Sequence, residues 1–285
     1  MTTIKLAIQK SGRLSEGSMD LIRRCGIKVK NGIGKLKAEA SNFPIEFLFL
    51  RDDDIPGYVQ DGIADIGIIG ENVMVEEDRD VTVLHKLGFS RCRLSIAVPK
   101  GDQYNGVKDL QDKSIATSYP KILKNYLDEH GVVADIHEIS GSVEIAPSIG
   151  LADAVCDIVS SGSTLFQNGL KEVEKIFYSE AVMVGSPNMA EEKMELVRKL
   201  LFRIKSLQTA ESNKYILLNA PEKSIEKIKA VLPGMRSPSI LPLAEPGWVS
   251  LHSVINENDF WEKIEELKEA GAEGILVVPI EKMIN

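Results

Sequence analysis

Apolar residues occur along the chain in short runs that alternate with amphipathic stretches. Ile4 to Ile8 is an apolar run, followed by the polar Gln9, Lys10, Ser11, Gly12 and Arg13, then by Leu14, Met19, Leu21 and Ile22 at helical spacing. The pattern predicts strand, loop, helix. It recurs at Ile45 to Leu50, with Arg51 to Asp54 as the loop and Ile55 with Pro56 opening a helix that Asp54 is placed to cap. Asp65 to Ile69, closed by Gly70, is the next strand. Strands and helices alternating at this spacing predict parallel sheets covered on both faces, with ligands at the carboxyl ends of the strands.

A second α/β segment begins near Cys92. Leu94 to Val98 is an apolar strand stopped by Pro99, and Ser114 to Thr117, Ile136 to Ile139 and Cys156 to Val159 continue the series. Two more strand-like runs lie between Ile176 and Val184, before a long helical pattern from Glu191 to Leu207 that is expected to return to the first domain. The expected division is residues 1–88 with 175–210, then 89–174, then 211–285, with the first boundary near Gly88. In the last segment, strands at Lys214 to Leu218, Ser239 to Leu243, Trp248 to Val254 and Gly274 to Pro279 and helices at Pro221 to Leu232 and Asp259 to Ala270 give the ferredoxin-like order.

A chain of 285 residues can hold two or three domains with their own cores, and 44% hydrophobic with 27% charged residues is ordinary globular composition. The formal charge of -8 makes nucleic acid a poor partner and requires any phosphate ligand to be held by a local, shaped site. Cys25, Cys92 and Cys156 fit no paired framework, and the first residues lack a basic stretch leading into an apolar run, so the cytoplasm is the expected location. No apolar stretch approaches the roughly 18 to 20 residues that span a bilayer, and no membrane role is expected.

The most informative segment for chemistry is Asp157, Ile158, Val159, Ser160, Ser161, Gly162, Ser163, Thr164. An apolar strand delivers a carboxylate and opens into small hydroxyl residues around a glycine, which lets backbone amides and hydroxyls wrap a phosphate monoester while the acid accepts from ribose hydroxyls. The same eight residues also describe a Ser-rich turn between two strands. His85, His130, His137 and His252 form no metal-ligand spacing, and no GxSxG nucleophile motif is present, so zinc and hydrolase readings lose support. Cys156 reads as a small core residue, and Trp248 and Trp261 as packing residues of the last domain.

The run from Glu144 through Leu165 resembles the signature of ATP phosphoribosyltransferases of the long form. Further matches are QKSGRL at Gln9 to Leu14, RDDDIPG at Arg51 to Gly57, DIGIIGEN at Asp65 to Asn72, CRL at Cys92 to Leu94, ATSYP at Ala116 to Pro120 and IEKM at Ile280 to Met283. The likeness covers essentially the whole chain. It implies two α/β domains like those of periplasmic binding proteins around a catalytic cleft, and a C-terminal ferredoxin-like domain of the ACT or PII-like kind that regulates.

By the same resemblance, Ser160, Ser161, Gly162, Ser163 and Thr164 hold the 5-phosphate of phosphoribosyl pyrophosphate, and Asp157 with Glu144 or Asp153 holds the ribose hydroxyls. Position 161 often carries Thr in relatives, and Ser keeps the hydroxyl. On the ATP side stand Gln9, Lys10, Arg13 and Arg93, with Gly70 and Glu71, and Thr117, Ser118 and Tyr119, framing the adenine or its ribose. Lys and Arg in such places neutralise a triphosphate or a departing pyrophosphate, although surface charge is their commoner fate. The run Asp52, Asp53, Asp54 reads as solvated, and magnesium is expected to arrive with the pyrophosphate substrate, not on protein ligands.

The implied reaction displaces pyrophosphate from the anomeric carbon by N1 of the adenine, at the first step of histidine biosynthesis. No residue is singled out as a catalytic base. The family's C-terminal domain binds histidine as feedback inhibitor, with candidate contacts at Met235, Ser237, Ser239, Val254 and Gly274. AMP and ADP are further expected ligands, and the expected assembly is a homo-oligomer exchanging between dimer and hexamer. A solute-binding or sensor protein and a phosphoribosyltransferase acting on a free base are the competing readings.

Overall fold

The computed structural model describes residues 2–30, 36–232, 234 and 237–284. The chain divides into two compact units, Met1–Arg198 and Lys199–Asn285. No helix among the described residues is long and apolar enough to cross a membrane.

The first unit consists of two lobes, each built on its own sheet. Lobe 1 opens with β1 (Ile4–Gln9), α1 (Arg13–Arg24), β2 (Val29–Lys30), β3 (Lys37–Ala40), β4 (Ile45–Leu50), α2 (Ile55–Gln60), β5 (Ile66–Gly70), α3 (Glu71–Glu77) and β6 (Thr82–Lys86). The chain then crosses to lobe 2, which holds β7 (Cys92–Pro99), β8 (Ser114–Thr117), α4 (Pro120–Glu129), β9 (Asp135–Glu138), β10 (Ala154–Val159), α5 (Ser163–Gln167) and β11 (Leu170–Ser179). It returns through Glu180 to β12 (Ala181–Gly185) of lobe 1 and enters α6 (Glu191–Glu211). The strands order as β2-β3-β4-β1-β5-β12-β6 in lobe 1 and β11-β7-β10-β8-β9 in lobe 2.

Central strands are apolar on both faces because helices cover both. Leu6, Ile8, Phe47, Ile66 and Ile68 are completely buried, and α1 turns Ser15, Ser18 and Ile22 inward at spacings of three and four. In lobe 2 one core gathers Leu94, Ile96, Ile115, Leu123 and Cys156, and another gathers Ala97, Val143, Val155, Val159 and Leu165. Cys156 is therefore the core residue its sequence context predicts.

The sheets are mixed, not parallel as expected. β4, β1 and β5 run parallel, but β12 is antiparallel to β5, with Ala181 opposite Gly70. The reason is the path: β12 enters lobe 1 directly from lobe 2, at the carboxyl end of β5, without the helical crossover that a parallel neighbour needs. The same holds for β7, antiparallel to β10.

The second crossing lies at Glu180, since β11 continues to Ser179; a boundary at 174/175 would cut that strand. The crossings run side by side, with Leu87 N donating to Ala181 O at 2.8 Å and Ala181 N to Phe89 O at 3.0 Å. The division between the two units falls within α6, between Arg198 and Lys199. Asp54 precedes α2 but makes no side-chain cap; its own backbone is already helical, with φ -78° and ψ -28°, where a cap needs an extended residue.

The second unit continues with β13 (Asn213–Pro221), α7 (Ile225–Val231), β14 (Ser239–Pro242), β15 (Trp248–Asn256), α8 (Glu257–Glu269) and β16 (Glu273–Pro279). Its antiparallel sheet, ordered β14-β15-β13-β16, is the ferredoxin-like arrangement. Ile216, Leu218, Val249, Leu251 and Leu267 form the core on one face. Trp261 is not a packing residue: it is 71% exposed, because it follows the inward-facing Phe260 by about 100° around α8.

Candidate functional site

The carboxyl ends of β1 and β5 in lobe 1 and of β10 in lobe 2 open onto one cleft of about 450 Å³. From lobe 1 it is lined by Gln9, Gly12, Arg13, Leu14, Asp52, Gly70, Asn72 and Val73, and from lobe 2 by Ile158 to Leu165. The crossings contribute Ser90, Arg91, Cys92 and Ser179.

The loop after β10 begins at Ser160 and turns at Gly162, whose φ of +83° is a left-handed conformation natural to glycine. It runs directly into α5, and the first N–H groups of a helix have no intrahelical acceptor. Ser161 Oγ and Ser163 Oγ lie 3.0 Å apart, so the hydroxyls converge. From the other side of the cleft, Arg13 Nη1 donates to Ser160 Oγ at 3.0 Å. A residue at the start of α1 thus meets a residue at the end of β10 across 147 positions of sequence.

Arg93, expected on the ATP side, is engaged by the protein itself. Its Nε and Nη2 donate to the two carboxylate oxygens of Glu172 at 2.5 and 2.6 Å, and its Nη1 donates to the Ser160 carbonyl at 3.2 Å. Ser95 Oγ completes the carboxylate's shell at 2.7 Å. Glu172 stands opposite Ala97 on β7 and Tyr178 opposite Arg93, so the long side chains of Glu172 and Arg93 meet diagonally along the strand pair. Arg93 and the Ser95 hydroxyl hold the Glu172 carboxyl below its usual range, and Glu172 in turn raises the guanidinium. The fork is therefore occupied by protein, and it anchors the first residue of the loop.

Asp157 is half-buried, and burial pushes its carboxyl up, with Glu144 pushing the same way and the Ile158 N–H, 2.7 Å away, opposing. Glu144 sits on a short turn, Val143–Ile145. Tyr119 stands near both Asp157 and Asp52: burial, then those two charges, drive its phenol above its ordinary value, while a hydrogen bond with Asn72 opposes them. Thr117 is fully buried, its Oγ1 accepting from Tyr119 N at 2.9 Å. Ser118 donates to the Ile139 carbonyl at 2.7 Å. Both build the turn that presents Tyr119 and do not line the cleft.

Asp157, Glu144, Arg93 and Tyr119 are not among the lining residues either, and Asp153, Glu71 and Lys10 lie elsewhere. Asp153 precedes β10, at the opposite end from the loop, and accepts from Ser114 N at 2.9 Å and Ser114 Oγ at 3.0 Å, which joins the starts of two parallel strands. Strand alternation and length, not proximity in sequence, decide this: four residues along a strand amount to about 13 Å. Glu71 accepts from Lys86 Nζ at 2.7 Å within lobe 1. Lys10 donates its backbone N–H to Leu50 O at 2.8 Å and does not line the cleft.

The residues missed were those at the crossings. Asn72 and Ser179 are buried and mutually bonded, Ser179 Oγ to Asn72 Oδ1 at 2.7 Å and Asn72 N to Ser179 Oγ at 3.2 Å. Gly70 makes room for them, since a Cβ there would stand 2.3 Å from Asn72 Oδ1. Asn72 was legible in DIGIIGEN, but Ser90, Arg91 and Ser179 carry no signal except adjacency to a domain crossing. Burial raises the Cys92 thiol, with a Ser179 hydrogen bond opposing.

The ATP phosphoribosyltransferase family matches residues 51–206, and the family described as HisG, C-terminal domain, matches residues 210–282. An ATP phosphoribosyltransferase of Cytophaga hutchinsonii is 60% identical over 284 residues, covering 100% of this chain and 99% of its own. One of Bacteroides thetaiotaomicron is 55% identical over 281 residues, covering 99% of each. The chain belongs to the ATP phosphoribosyltransferase family. Among solved structures, the ATP phosphoribosyl transferase (HisG:HisZ) complex from Thermotoga maritima aligns with TM-score 0.62 and 30% identity, over 71% of this chain and 96% of that one. The substrate binding protein of an amino acid ABC transporter aligns with TM-score 0.50 and 11% identity, over 73% and 94%, and shares the two-lobed fold alone.

In the C-terminal unit the family's expected effector contacts are spread over several strands of the sheet. Ser239 lies on edge strand β14, opposite His252, and Gly274 on the other edge strand, β16, with Asn219 as neighbour. Three inter-strand spacings separate those edges, about 14 Å. Val254 lies between them on β15 opposite Tyr215, Ser237 precedes β14, and Met235 lies outside the described residues. Among the described residues no group of three or more His, Cys, Asp or Glu is gathered as metal ligands.

Proposed function

We propose that the cleft performs the family's transfer of a phosphoribosyl group to ATP with a fixed division of labour between the lobes. Lobe 2 takes the activated ribose: the Ser160–Thr164 loop grips the 5-phosphate, and Asp157 with Glu144 accepts from the ribose hydroxyls. Lobe 1 takes the nucleotide and the departing pyrophosphate, with Arg13 and Gln9 at the strand end and Arg91 at the crossing supplying donors. The observation that carries this reading is the Arg13–Ser160 contact, which places a lobe 1 cation on the loop that follows an acidic strand end.

The chemistry follows from the charges. As N1 of adenine displaces pyrophosphate, positive charge grows on the sugar and negative charge on the leaving group. Asp157 and Glu144 face the first, and the guanidinium of Arg13 faces the second. Aligning two large substrates across a closing cleft supplies much of the acceleration, and no side chain has to act as a base. Asp157 and Glu144 would supply hard oxygen donors toward a magnesium ion brought by the ribose donor. When bound, magnesium neutralises pyrophosphate charge.

The C-terminal unit is assigned histidine sensing, with Ser239 and Val254 on one half of its sheet as the first contacts to test. The experiment for the whole proposal is to mix the protein with ATP, phosphoribosyl pyrophosphate and magnesium and follow pyrophosphate and the adduct, with and without histidine. Pyrophosphate release dependent on both substrates is expected. Release without ATP, or none at all, overturns the reading.

A further inference from the structure

Lobe 2 is attached to lobe 1 by two adjacent strands, which by themselves leave the angle between the lobes free to vary. A third connection limits it. α3 of lobe 1 reaches over to lobe 2, where Val75 packs against the core of Leu94, Ile96 and Leu123. The next residue, Glu76, caps α4: its Oε1 accepts from Lys121 N at 2.8 Å and its Oε2 from Ile122 N at 3.1 Å. Lys121 Nζ donates to Asp78 Oδ2 at 2.5 Å on the same side.

A helix usually takes its cap from the residue just before it. α4 does not, because that residue is Tyr119, which makes no side-chain cap, and Pro120 follows with no N–H to offer. The acceptor comes from another lobe, 45 residues away. The capped turn is also the one that places Tyr119 beside Asp157.

We infer that Glu76 is a positioning residue for the reaction: by capping α4 from lobe 1 it holds the lobes at the angle where Arg13 meets the Ser160–Thr164 loop. Glu76 is not among the residues that line the cleft. Opening the cleft withdraws the acceptor from two amides, so the cap biases the free protein toward closure, and binding then has less closure left to drive. This inference rests on the assignment of Arg13 and the loop to opposite substrates.

Its test separates the lobe angle from catalysis. Spin labels on p-acetylphenylalanine placed at the exposed positions Asp61 in lobe 1 and Glu129 in lobe 2, diluted with unlabelled protein, report the inter-lobe distance without turnover. In Glu76→Ala the distribution is expected to gain a longer component, and KM for both substrates to rise about tenfold with kcat within about twofold. A residue that only stabilises the fold lowers the active fraction, and so kcat, and leaves KM alone. Glu76→Gln keeps one acceptor oxygen and is expected to rise about threefold; it serves if the alanine variant fails to fold. An unchanged distance with unchanged KM in the variant that folds overturns the inference. A lengthened distance in a protein without transferase activity leaves the latch standing and removes the proposed function.

Discussion

Replacing Arg93 by lysine distinguishes a cation that binds substrate from one that builds the loop. Lysine keeps the charge but not the fork. In the native arrangement the guanidinium makes three bonds, two to Glu172 and one to the Ser160 carbonyl, and both side chains of the pair are only about a fifth exposed, 22% and 21%, so water screens them little. Hydrogen bonds to charged groups contribute about 1.5–3 kcal/mol each in net terms, and an ammonium can replace one of the three. If about 2 kcal/mol of the loss falls on ordering the loop, the fraction poised to take a phosphate drops about 30-fold at 1.36 kcal/mol per decade.

The expected result for Arg93→Lys is therefore a 10- to 30-fold higher KM for phosphoribosyl pyrophosphate, read by pyrophosphate release, with KM for ATP changed less. Glu172→Gln, at a residue outside the cleft lining, should reproduce about a tenfold rise by loosening the same anchor. A lysine variant with native KM, or a silent Glu172→Gln beside an Arg93→Ala that loses kcat, would refute the reasoning. Arg93 would then act through its charge, as the sequence alone suggests.

Arg13→Ala removes an exposed cation and the Ser160 contact, and turnover should fall on the order of 100-fold while the melting temperature moves by no more than about 2 °C; native kinetics would take Arg13 out of the site. Asp153→Ala should show the opposite division, a stability loss of about 1 kcal/mol in urea with KM for the ribose donor unchanged, because its carboxylate is engaged at the far end of β10. A raised KM there would restore it to the ribose. The Arg93–Glu172 pair also sets an acid limit. Glu172 has its carboxyl held below the ordinary 4.5, so the pair stabilises fully above that value and the contribution disappears as pH falls through the lower, folded value. Glu172→Gln should flatten the fall of melting temperature below about pH 4.5 relative to the native chain, and two superimposable acid limbs would refute this.

The hydrophobic pattern sufficed to place most strands and helices, because helix-covered strands here are short, apolar and bounded by polar loops. It could not show that β12 enters from another lobe and must run antiparallel, since periodicity carries no direction. The loop Ser160–Thr164 and Arg13 were readable from strand ends, where α/β folds place ligands. Arg93 and Asp153 differ: a charged residue near a motif reads as a ligand contact, and the protein partner each one holds is not visible from the motif. Glu172 and Ser114, the partners that decide those two cases, come from strands 79 and 39 residues distant. Ser179 and Arg91 were invisible because a crossing has no composition of its own.

The insertion of lobe 2 between β6 and β12 bears on how the chain is made. As synthesis proceeds from the amino terminus, β5 remains without its antiparallel neighbour until residues 181–185 have emerged, and through that interval it offers a bare apolar border to other nascent chains. Lobe 2, whose own strands all lie between Cys92 and Ser179, can complete its sheet first. The inserted lobe is thus placed to ripen ahead of its host and to deliver the closing strand already aimed at the gap.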